Sequence, residues 1–229
     1  MNKNTKIDSK LLEETLTILN RRIEERFPKS GLGKVCEDIN KILNNTNNQI
    51  KWIAKPNLII RMILSLIFLI GLICLFLLVK STNFNLPKSL DTIVAISDGI
   101  CNVIFVLGVV IFYLVSLENT FKRKRAIKSI NRLRSLLHVV DMHQLSKDPN
   151  MVNMKKHSTA SSPKRVLSKF ELFRYLNYCT EAIAIISKIS TIYAQEFDDD
   201  IVVETVNDIE ILSTGLSQKI WQKIIILHN

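Results

Sequence analysis

The sequence predicts an all-α membrane protein, a two-helix transmembrane hairpin with a cytoplasmic helical bundle, and three observations lead there. Two apolar runs, 58–79 and 93–117, are each long enough to cross a hydrocarbon core of ~30 Å at about 1.5 Å of helix rise per residue. Outside those runs, apolar residues recur at helical spacing in a chain that is 23% charged, with mean hydropathy +0.17. Finally, the net charge of +10 is unevenly placed: residues 118–134 carry +6 and 1–56 carry +4, while 135–229 carry −1.

Three segments follow in order. Residues 1–56 form cytoplasmic N-terminal helices. In the first, 9–27, Leu12, Leu16, Leu19 and Ile23 share one face before Pro28 stops it. The second is expected over 32–44, ended by the polar cluster "NNTNNQ". The hairpin occupies 57–117, with an outer loop at 80–92. Three Lys in the twenty residues before the first span and seven Lys/Arg in the twenty after the second put both termini in the cytoplasm. Trp52, Tyr113 and a snorkelling Arg61 suit the inner interface. The bundle takes 118–229 and begins with a helix that meets no Gly or Pro between the second span and Pro149. A flexible Ser/Lys-rich loop at 150–165, with His157 exposed, precedes two more helices, about 166–196 and 200–227. Leu172, Leu176, Cys179, Ile183 and Ile186 stripe the first of these; Val202, Val206, Ile209, Leu212, Leu216, Ile220 and Leu227 stripe the second.

Four places bear on function. In the second span Asp98 and Asn102 share a face with Phe105, Val109 and Phe112, so they are candidates to line an oligomeric pore or to join helices within the bilayer. Lys122, Arg123, Lys124, Arg125 and Lys128 lie where anionic headgroups of the inner leaflet would meet them; without interleaved aromatics they are not read as a nucleic-acid site. Arg134, His138 and Asp141 form a polar stripe at i, i+4, i+7, beside the apolar seam of Ile130, Leu133, Leu137 and Val140. Arg174, Tyr178 and Glu181 repeat that spacing, so each Arg is expected to face the other helix's acid in a network that sets register. The catalytic alternative uses Arg132, Arg134, His138 and Asp141.

No cofactor or metal is expected: His138, Asp141 and His143 cannot converge from one helix, and no Gly-rich phosphate loop occurs. Cys36, Cys74, Cys101 and Cys179 lack CxxC spacing, so neither disulfide nor zinc is expected. No cleavable signal is expected either, because the first apolar run begins near residue 57.

"RLRSLLHVVDMHQLSKDP", "FELFRYLNYCTEAI" and "LSQKIWQKI" together resemble a set of bacterial inner-membrane proteins with two spans and a helical cytoplasmic tail, over about 115–224. In layout the chain also resembles the SLATT class of two-span effectors. That likeness implies a homo-oligomer that permeabilises the membrane in stress or phage defence, and it carries over no individual residue. Arg132 and His138 fit the Arg-x4-6-His pattern of HEPN ribonucleases, although i and i+6 stand ~120° apart on a helix. Three functions are therefore expected in turn: a non-enzymatic membrane effector or pore, a membrane-tethered scaffold for a cytoplasmic protein partner, and a tethered ribonuclease.

Overall fold

The computed structural model describes residues 6–81, 90–150 and 167–228, and within them the chain is all-helical. The outer loop lies largely outside the described residues, and the 150–165 loop almost wholly so, with His157 among the undescribed positions. Six helices are described: α1 (Ser9–Arg26), α2 (Gly31–Ala54), α3 (Leu58–Ser81), α4 (Leu90–Leu145), α5 (Lys169–Glu196) and α6 (Asp200–His228). They divide into two compact units, Met1–Ile53 with Arg125–Asn229, and Ala54–Lys124.

In the first unit, α1 starts at an Asp8 cap, whose carboxylate accepts from the Lys10 amide. Phe27 closes it, and the Phe27–Ser30 turn carries Pro28 and then Lys29, of which Lys29, at φ 56°, lies in the left-handed region. The expected stop of the second helix at "NNTNNQ" is not found, because α2 continues to Ala54. Asn and Thr are weak helix formers, yet here tertiary contacts outweigh propensity. Thr46 is fully buried and returns its hydroxyl to the Ile42 carbonyl, Leu43 and Ile53 enter the core, and Gln49 accepts from the Tyr193 hydroxyl at 3.0 Å. The break comes instead at Pro56, and the Asn57 side chain accepts from the Ile59 amide to open α3.

A full capping box starts α5: Ser168 and Glu171 each satisfy the other's backbone amide. The Asp199 carboxylate accepts from the amides of Ile201 and Val202 at the start of α6. The two helices are joined by only Phe197–Asp199, so they run antiparallel and pack along their lengths. The apolar stripes meet in one core that combines Leu12, Leu16, Leu19 and Ile23 of α1 with Ile130, Leu133, Leu137 and Val140 of α4. Leu176, Ile183 and Ile186 of α5 and Val202, Ile209 and Ile220 of α6 complete it. Leu212, expected in the stripe, is only partly buried at its edge.

The second unit holds α3 and the N-terminal part of α4, the two helices long and apolar enough to cross a membrane. Only 6% of the most apolar window of each is buried. They approach closely at Gly71, where a Cβ would stand 3.2 Å from a Leu107 methyl.

Candidate functional site

The polar edges of α4 and α5 find partners other than those expected. Arg134 donates to Asp208 of α6 at 3.1 Å, and Glu181 receives Arg22 of α1 at 3.1 Å. Arg174 donates to the Tyr178 hydroxyl within its own helix at 3.2 Å, while Asp141 accepts from Gln144 at 2.6 Å. No Arg of either stripe meets the other helix's acid in these bonds. The edge of α5 is taken up by α1, and α6 lies within reach of Arg134.

Asp141 instead anchors a network at the end of α4. Gln144, 2% exposed, is held by Asp141, and the Lys223 ammonium of α6 donates to the Gln144 backbone carbonyl at 2.8 Å and to its amide oxygen at 2.5 Å. The cation thereby adds a second donor to a C-terminal carbonyl that also accepts from the Lys147 amide at 3.0 Å. Burial pulls the Lys223 ammonium below its ordinary range, against the charges of Asp148 and Asp141. His138 and Arg132 are both exposed on α4 and line none of the hollows described below. His143 turns to the N-terminus of α2, its ring filling the space that a side chain at Gly31 would need.

The arrangement with most chemical character was not apparent from the sequence. Between α1 and α5 lies a hollow of about 470 Å³ lined by Arg22, Glu25, Arg26, Arg174 and Tyr178. Phe27 buries beneath it, edge-on to Tyr175 with ring centres 5.3 Å apart and to Tyr178 at 6.3 Å. Arg22 and Arg174 lie over the Tyr178 ring at 5.2 and 4.9 Å, and Arg26 over Phe170 at 5.0 Å. Burial alone would raise the Tyr178 phenol. Hydrogen bonds from Arg174 and Arg26, with the charges of Arg174 and Arg22, outweigh it and lower the phenol below its usual range. The available signal was the i, i+4 pair of arginines on α1, which reads by itself as a solvated edge.

Two other concavities are less polar. One of about 440 Å³ lies between α5 and α6 against the exposed Trp221, and one of about 480 Å³ lies between α1 and α5 around Ile7 and Leu11.

Asp98 and Asn102 are exposed on α4, as are Phe105, Val109 and Phe112. A Cβ at the neighbouring Gly99 or Gly108 would meet nothing within 4 Å. Of the basic residues, Lys122 pairs with Glu118 at 2.8 Å, and Arg125 lies over the Trp52 ring at 4.6 Å. Lys124 and Lys128 are exposed, while Arg123 is half-buried. Among the described residues no three His, Cys, Asp or Glu side chains cluster as a metal site would. Comparison of the chain with protein-family profiles, curated proteins and solved structures finds no match.

Proposed function

We propose that this chain is a two-pass protein of the bacterial inner membrane, with both termini and the helical unit in the cytoplasm. Its spans associate as a homo-oligomer and act on the membrane as a non-enzymatic effector or pore. The observation that carries this reading is the exposure of the apolar side chains of α3 and α4, among them Phe68 at 58%, Phe105 at 71% and Phe112 at 76%. Each such side chain left in water forgoes about 1.5–3 kcal/mol of burial, so a surface this continuous calls for lipid or further helices around it.

The polar face of the second span supports the oligomer. Asp98 and Asn102 are costly toward lipid, and the open space beside Gly99 and Gly108 leaves room for a neighbouring helix. The excess of Lys and Arg after the second span supports the orientation. Exposed Lys124 and Lys128, with Lys122, Arg123 and Arg125, would each add about 1 kcal/mol of attraction to anionic headgroups. The SLATT-like layout is the ground for assigning the activity to stress or phage defence.

The test is Asp98→Leu combined with Asn102→Leu, read as planar-bilayer conductance of the purified protein and as toxicity on overexpression. The expected result is loss of both. Unchanged conductance and toxicity would remove the pore, and a cytoplasmic protein co-purifying without any permeability change would move the function to a tethered scaffold.

A further inference from the structure

We propose that the arginine-lined hollow between α1 and α5 is a binding site for a phosphoryl-bearing small anion. The site lies wholly within the first compact unit, so it stands independently of the membrane reading. Its lining carries three guanidinium groups against one carboxylate, that of Glu25. Arg22 and Arg26 are one turn apart on α1, a like-charge spacing that disfavours the helix by itself, and folding then adds Arg174 to the same concavity. Glu181 offsets only part of this, through its 3.1 Å contact with Arg22. An arrangement that concentrates like charge becomes favourable once an anion occupies it.

The aromatic rings prepare the site. With Arg22 and Arg174 over Tyr178 and Arg26 over Phe170, ring faces help position the guanidinium groups; Arg22 spends one N–H on Glu181 and Arg174 one on the Tyr178 hydroxyl, and each fork has five N–H donors. Tyr178 is 2% exposed, and its hydroxyl oxygen already accepts from Arg174, so its proton remains to be donated. The downward shift of its phenol has the same origin, the surrounding positive charge.

The donor set selects the ligand class. A planar carboxylate presents two oxygens and serves one guanidinium fork. A phosphoryl group presents three or more oxygens in a tetrahedron and can take several Arg donors together with a hydroxyl. Its charge of about −2 matches the excess of the lining. A volume of about 470 Å³ admits a substituent beyond a single phosphate.

The test uses the full chain in detergent at fixed ionic strength, with inorganic pyrophosphate as the calorimetric probe. Succinate and monomeric dihexanoyl phosphatidylglycerol run in parallel. Saturable pyrophosphate binding is expected, with succinate at least tenfold weaker. Arg26→Gln and Arg174→Gln should each weaken pyrophosphate at least tenfold, and Arg21→Gln, an exposed α1 residue outside the hollow, should leave it unchanged.

Arg174→Lys keeps the charge but not the fork, and should still lose several-fold; it serves if the glutamine variants do not fold. Arg-dependent binding of the phosphatidylglycerol in preference to pyrophosphate would assign the hollow to a lipid headgroup, the same chemistry from another source. The proposal is overturned if neither phosphoryl probe binds saturably, if succinate binds equally well, or if folded arginine variants bind like the parent.

Discussion

Replacing Lys223 with methionine tests whether one cation holds the end of α4 to α6. Methionine preserves most of the apolar stem and removes only the ammonium, which donates to the Gln144 carbonyl at 2.8 Å and to its side-chain oxygen at 2.5 Å. The carbonyl keeps the Lys147 amide at 3.0 Å, but the side-chain oxygen, in a residue that is 2% exposed, loses its donor where water does not replace it. A buried polar group left unsatisfied costs about 1–3 kcal/mol, and hydrogen bonds from a charged donor contribute about 1.5–3 kcal/mol. Relief of the ammonium's own burial, which is what lowers its pKa, subtracts from this. The expected net loss is about 2–3 kcal/mol. Trp52 and Trp221 both lie in the first unit, so tryptophan fluorescence in urea follows that unit. With a slope of about 2 kcal/mol per molar urea, the midpoint should fall by about 1–1.5 M. In a Gln144→Leu background the same substitution should cost markedly less, because the acceptor it would orphan is already gone. A midpoint shift below ~0.3 M in the parent protein would refute the assignment.

Two other outcomes are expected. Gly31→Ala places a Cβ into the His143 ring, and the required repacking should cost about 1–3 kcal/mol by the same fluorescence titration; a change within ~0.5 kcal/mol would show that the imidazole moves freely. Alkaline pH should destabilise the unit. Burial raises the Cys36 thiol to about 12, raises Cys179 further, and raises the Tyr175 phenol. These acids keep their protons in the folded chain while the unfolded chain releases them, so their contribution is complete below about pH 9 and is lost as pH rises toward 12. Cys36→Ala should make the stability curve shallower by about 1.4 kcal/mol per pH unit across that window, and a curve parallel to the parent's would contradict the burial argument.

The periodic positions were legible in the sequence because they are local. Leu12, Leu16, Leu19 and Ile23 needed only helical spacing to be placed on one face, and all four are buried. The same holds for Ile130, Leu133, Leu137 and Val140. The continuation of α2 through "NNTNNQ" was not legible, because its cause is distant: Gln49 meets Tyr193 across 144 positions of chain. Of the polar stripes, the residues could be named but not their partners. Arg134 and Glu181 each pair with a third helix, which an argument restricted to two facing helices left out.

Sequence alone determined the buried helix faces and the two runs of membrane-crossing length, since backbone period and segment length depend on neighbours a few residues away. Only the tertiary structure decided which charges meet. A helix displays its polar edge in every direction its packing leaves open, and the neighbour that fills each direction is selected by the whole core. Arg22 and Arg26 thus look like a solvated edge along the chain, yet they share a hollow with Arg174 once α1 packs on α5.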